Sequence, residues 1–195
     1  MNNKLLKSLA DFISVLTIPT NTSFLLFLVL GFEFKSSIQN LNLYFLISFL
    51  FLNLIQIIWV FVLFKLKLID DWQVEKREQR HYLYIGAVVI YLIGYILLLQ
   101  VTNNKIIILS WLAYLLTTIL VYIINLFWKI SIHSIGAIGA TTILLIIYGN
   151  KIFPLILLPL VVGWARLYLR KHTLLQVLGG YFLGFLLVKI LFNIF

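Results

Sequence analysis

An all-α, polytopic membrane bundle of about six or seven spans is the fold class this sequence predicts. Three observations carry it. Of 195 residues, 63% are hydrophobic, where a soluble domain averages roughly half. The mean hydropathy is +1.10. The apolar residues are gathered into runs close to the roughly 20 residues that cross a bilayer. No polar stretch is long enough to fold a separate soluble domain, so residues 1–195 read as one integral membrane domain.

The runs place seven candidate spans at about 12–32, 42–65, 82–100, 106–126, 133–149, 153–168 and 174–194. Pro19 and its Thr and Asn neighbours break the first, which reads as kinked or re-entrant. Asn103 and Asn104 suit a tight turn between the third and fourth. The fifth and sixth are short and meet at Gly149–Phe153. The last span carries a GxxxG at Gly180 and Gly184, a pattern that lets helices pack closely. No cleavable signal peptide is read at the N-terminus.

The formal net charge is +9. The bases stand at span ends, where headgroups or phosphates are nearer partners than nucleic acid. There is no cysteine, which excludes disulfides and thiolate chemistry. Three polar clusters interrupt the runs: Gln73–His81 (QVEKREQRH), Lys129–Ser134 (KISIHS) and Trp164–Gln176 (WARLYLRKHTLLQ). Two spans separate each cluster from the next, so parity puts all three on one membrane face. That face also carries most of the Lys and Arg, which would point it to the cytoplasm if the bases are topological signals. Bases kept to hold phosphate bias that count, and the orientation stays open.

Arg166 ends a span, and His172 follows in a turn. Gln176, in the first turn of the next helix, is four residues on and within reach of it. An imidazole held through one nitrogen presents the other as nucleophile or acid–base. Arg166 can grip two oxygens of one phosphate. Ser131 reads as an N-cap, and the free N–H groups behind it favour an anion. His133 stands beside them as a proton donor. In the first cluster, Arg80 enters the membrane, whereas Lys76 and Arg77 neighbour Glu75 and Glu78. Arg170 and Lys67 read as interfacial side chains, and His81 is equally well a polar residue without a role.

With these residues in order, the chain resembles the type-2 phosphatidic acid phosphatase superfamily, which includes vanadium-dependent haloperoxidases. Its motifs KxxxxxxRP, PSGH and SRxxxxxHxxxD are similar in order and spacing to Gln73–His81, Ile130–His133 (ISIH) and Ala165–Gln176 (ARLYLRKHTLLQ). The glycine-bearing Gly179–Gly184 (GGYFLG) resembles the helix that follows the third motif. The resemblance covers residues 71–195, the expected phosphatase-like core, and leaves 1–65 as divergent N-terminal spans.

The resemblance implies a phosphatidic acid phosphatase type 2-like fold and an integral membrane phosphatase. Its substrate would be a lipid phosphate or isoprenyl pyrophosphate, hydrolysed through a phosphohistidine. It implies His172 as nucleophile and His133 as proton donor to the leaving group. Arg80, Arg166 and Ser131 would hold the phosphate, with Lys76 supplying charge in place of the family's lysine. No cofactor and no metal are implied. The expected partners are the lipid phosphate and the bilayer, without nucleic acid, in a bacterial inner (plasma) membrane.

The chain departs from the motifs at Gln73, His81, Ile130, Ile132 and Ala165. It departs most consequentially at Gln176, where the family has an aspartate. An amide oxygen can accept the imidazole N–H but does not stabilise an imidazolium as a carboxylate does. The alternative is therefore a catalytically impaired member that binds phospholipid or serves as a membrane scaffold. A magnesium-dependent prenyltransferase needs acidic clusters, and only Asp70 and Asp71 adjoin. A transporter needs a charged or broken-helix midplane site, and the interior Asn53, Gln56 and Asn125 are uncharged.

Overall fold

The structure, a computed structural model, describes residues 3–72, 74 and 76–194. Gln73, which opens the first cluster, and Glu75 lie outside the described residues. Nine α-helices follow one another among the described residues: α1 Asn3–Leu16, α2 Pro19–Glu33, α3 Leu41–Phe49, α4 Ile55–Lys65, α5 Arg80–Leu98, α6 Lys105–Asn125, α7 Ile132–Tyr148, α8 Leu157–Tyr168 and α9 Leu174–Ile194. They contain no strand, and one isolated bridge pairs Ile38 with Thr102. The fold is the all-α bundle expected. By length and composition, five helical runs are fit to cross a membrane, or six if the bent pair Lys4–Leu16 and Pro19–Glu33 is one span.

The first span differs from its expected range. Helix begins at Asn3 rather than near residue 12, and breaks before Pro19 with a bend of 58°. Proline has no N–H to give and suits a first helical position, so the helix restarts there. The run Leu41–Lys65 is continuous but contains a π-helical turn at Leu50–Leu54. Asn40 and Asn104 cap α3 and α6, accepting from Leu43 N and Ile107 N at 3.0 and 3.1 Å. Asn104 thus starts a helix, as well as ending the turn expected there.

The chain divides into two compact units. One joins the segment up to Thr22 to everything from Lys129 onward, and the other is Ser23–Trp128. The expected boundary between divergent and core regions, at 65–71, falls inside the second unit.

In the first unit, the run Ile132–Tyr168 folds back on itself. Gly149 takes φ 62°, ψ −149°, and a 3-10 segment Gly149–Ile156 leads into α8, which packs on α7. The residues facing α9 fix the directions. A Cβ on Gly180 would meet Ser131 O and Ser134 Cβ, and one on Gly184 would meet Ile135 and Ile138, so α7 and α9 run parallel. Gly163 faces Tyr181 and Val177, while Tyr181 Oη donates to Pro159 O, so α8 runs antiparallel to both. The run therefore supplies the two short segments expected at 133–149 and 153–168. The start of α7, the end of α8 and the start of α9 share one end of the unit.

The second unit packs α3 to α6 with the greater part of α2. Phe27, Tyr44, Leu52, Leu98, Ile107 and Trp111 form its buried centre. Trp111 meets Phe27 edge-on at 5.0 Å and comes close to α5 where Gly94 has no side chain.

Candidate active site

The third polar cluster is built from two helix ends. α8 terminates in a Schellman motif: Arg170 adopts φ 54°, Arg170 N donates to Leu167 O, and Lys171 N donates to Arg166 O. This termination carries the chain from Arg166 to His172 in a few residues. α9 then opens with a capping box. Thr173 Oγ1 accepts from Gln176 N at 3.4 Å, and Gln176 Oε1 accepts from Thr173 N at 3.2 Å.

His172 Nδ1 lies 3.0 Å from the same Gln176 Oε1. The backbone N–H of Thr173 fixes which end of the Gln176 amide faces inward, because an N–H must meet the oxygen. That oxygen can only accept, so His172 donates from Nδ1. The neutral ring then carries its lone pair on Nε2, the form a nucleophile needs. Arg166 and His172 are both buried, at 3% and 7% exposure.

The second cluster meets the third across α9. Ser131 caps α7 in extended conformation, and its Oγ accepts from Ser134 N at 3.4 Å and from Ser134 Oγ at 2.8 Å. Ser131 N donates to Gln176 O at 3.3 Å. His133 lies in the first turn of α7, also buried. The first unit therefore brings Ser131, His133, Arg166, His172 and Gln176 to one end, with two histidines, an arginine and a helix N-terminus. Such a set binds anions and can move protons.

Arg80 and Lys76 belong to the other unit. Arg80 is the first residue of α5 and is 3% exposed. Its Nε donates to Val74 O at 2.7 Å, and its Nη1 has no hydrogen-bond partner among the described residues. Val74 is itself buried and held at φ 46°, a costly conformation for a β-branched residue. Lys76 is exposed and paired with Asp70 at 2.5 Å. That pairing, with Gln79, lowers the Asp70 pKa, and the Asp70 contact raises that of Lys76. Arg77 spans to the end of α6, donating to Leu126 O at 2.7 Å, while Asn125 Nδ2 donates to Arg77 O at 3.0 Å. His81 lies against the ring of Tyr82, at 3.9 Å between centroids.

Three participants were not singled out in the sequence. Thr173 was legible, since Thr-x-x-Gln is a capping-box pattern. Ser134 was legible as the third residue beyond the cap. Ser14, whose Oγ accepts from Arg166 Nη1 at 2.5 Å, left no local signal, because 152 residues separate the pair. Among the described residues, no three His, Cys, Asp or Glu side chains group to hold a metal ion.

Fold and site together define a multi-pass helical membrane protein with buried basic and imidazole groups at one end of a helical hairpin. The family model of the PAP2 superfamily matches residues 125–195, and over that segment the chain is similar to the type-2 phosphatidic acid phosphatase superfamily. The match supports a phosphatase-type function in the broad sense. The match holds the second and third clusters, and Arg80 and Lys76 lie before it. No curated protein and no solved structure matches the chain.

Proposed function

We propose that the protein hydrolyses a lipid phosphate or isoprenyl pyrophosphate at the membrane interface, with His172 as the nucleophile. The observation that carries this reading is the His172 Nδ1–Gln176 Oε1 contact at 3.0 Å, which leaves the Nε2 lone pair for attack. Nε2 forms a bond to phosphorus as the bond from phosphorus to the lipid oxygen breaks. His133 gives its proton to the departing oxygen. Water then attacks the phosphohistidine, His133 takes the water's proton, and inorganic phosphate leaves with the N–P bond broken. Arg166 neutralises the phosphoryl oxygens, and the N-terminus of α7 behind Ser131 adds N–H donors. Phosphoryl transfer depends chiefly on such positioning and charge. No metal or cofactor takes part in this scheme. Lys76, exposed and paired with Asp70, serves as a peripheral charge that attracts the anionic headgroup.

A second reading has its own observation. Gln176 Oε1 is shared between His172 and the cap of α9, and no carboxylate stands at that position to stabilise an imidazolium. A chain that keeps the fold, binds phospholipid and does not turn it over fits that feature.

The test is phosphate release by purified protein from a panel of lipid phosphates and pyrophosphates. The expected result is release by the parent and loss of at least a thousandfold in His172→Ala, on the order seen when a catalytic nucleophile or base is removed. Binding without release by the parent selects the second reading.

A further inference from the structure

The N-terminal helix lies more than 100 residues before the segment that matches the family model, yet it reaches the third cluster. Along α1, Ala10 and Ser14 are buried, and Thr17 follows them at the helix end, while Leu5, Leu9, Phe12 and Leu16 are exposed. The spacing 10, 14, 17 is one helical stripe, and α1 packs on α8. Thr17 satisfies its hydroxyl locally, donating to Ile13 O at 2.7 Å. Ser14 does something else: its Oγ accepts from Arg166 Nη1 at 2.5 Å, with both residues buried. A serine on the buried stripe of this amphipathic helix is otherwise a poor choice, since alanine fits the space and favours the helix more.

We infer that Ser14 is a positioning residue for Arg166, so that α1 forms part of the phosphate site. A guanidinium is planar, with its five N–H donors in a fixed fork. One hydrogen bond to an immobile acceptor sets the plane, and the plane sets where the other donors point. Ser14 is immobile because α1 is held against α8, the helix that carries Arg166. This inference rests on the phosphate-holding role proposed for Arg166.

The experiment measures binding of inorganic phosphate to the full-length protein, alongside thermal unfolding, for the parent and four variants. Ser14→Ala is expected to weaken phosphate binding about tenfold, the scale of one hydrogen bond to a charged group. Ser14→Thr, which keeps the hydroxyl, is expected to stay within about twofold of the parent. Ser8→Ala, on the exposed face of the same helix, serves as the control and binds as the parent does. A Ser14→Ala protein that binds phosphate like the parent overturns the inference, whatever its unfolding temperature. Arg166→Ala separates the two claims. If it binds phosphate normally, the phosphate role of Arg166 fails at its source. If it loses binding while Ser14→Ala does not, only the role of Ser14 fails. A parent that binds no phosphate removes both.

Discussion

The two units bury polar groups in different ways. In Ser23–Trp128 three buried side chains turn to the backbone of a neighbouring helix. Tyr44 Oη donates to Phe27 O at 2.8 Å, Trp111 Nε1 to Tyr91 O at 2.9 Å, and Ser23 Oγ to Leu52 O at 3.4 Å. Such bonds tie neighbouring helices together and use up the donor. At the cluster end of the other unit, side chains turn to one another: Arg166 to Ser14, His172 to Gln176, Ser134 to Ser131. Contacts of this kind are the minority class in folded proteins. They orient the tips of functional groups, and a buried charge is costly without them. The first pattern suits a scaffold, and the second suits the proposed site.

The largest expected effect comes from the packing that brings the site together. A Cβ on Gly180 would lie 2.8 Å from Ser131 O, against backbone that cannot yield as a flexible side chain does. Gly180→Leu should destabilise the first unit by about 3 kcal/mol or more and lower phosphate release to background. Thermal unfolding in detergent checks the first, and release assays the second. The equivalent insult in the second unit, Gly86→Leu, meets the Trp59 side chain. It should lower the unfolding temperature while sparing more of the activity. Equal losses from both would erase the distinction between scaffold and site.

Next comes the orienting residue. Gln176→Glu keeps the capping box, which accepts Glu or Gln alike, and places a carboxylate on His172 Nδ1–H. A negative charge beside an imidazole favours its protonated form. The acidic limb of the pH–rate profile should therefore move to higher pH. The plateau rate should rise by about tenfold or more, the reverse of removing such a carboxylate. A fall in rate with an unchanged profile would show that Gln176 is matched to this site by something other than its acceptor oxygen.

These residues also show what the sequence made legible. The runs, the Gly149 turn and the reach from His172 to Gln176 were all readable, because apolar length, turn chemistry and near-neighbour spacing are local. The start of α1 was not, since its apolar residues line one face only and do not form a run. The π-helical turn at Leu50–Leu54 was not, as its residues are ordinary helix formers. Ser14 was not, because periodicity tells which face is buried but not which side chain lies across from it. In the sequence Arg80 already stood apart as the residue entering the membrane, with Lys76 beside Glu75 and Glu78. The structure separates them by burial, 3% exposed for one and solvent-facing for the other, a property set by the helix start at Arg80.

A smaller effect tests the cap. Ser131→Ala removes the acceptor for Ser134 N and the partner of Ser134 Oγ. A lost N-cap costs about 0.5–2 kcal/mol. Release should fall by about tenfold at most, with partial recovery in Ser131→Thr, which retains a capping hydroxyl.

The smallest effect belongs to Lys76. Its side chain is exposed and already engaged by Asp70, so Lys76→Ala should change release at neutral pH by about twofold or less, and less still at high salt. The pH dependence has a definite sign. Asp70 has a folded pKa below its ordinary value. Its share of stability is present above the unfolded pKa and is lost as pH falls through the folded one. Lys76 has a raised folded pKa, so its share is present below the unfolded pKa and is lost as pH rises through the folded one. Between the carboxylate and ammonium ranges the pair is intact, and the difference between parent and Lys76→Ala should be flat. It should close at both extremes. A large loss of activity in Lys76→Ala, with Asp70→Asn raising activity, would instead make Asp70 a restraint on a working phosphate ligand.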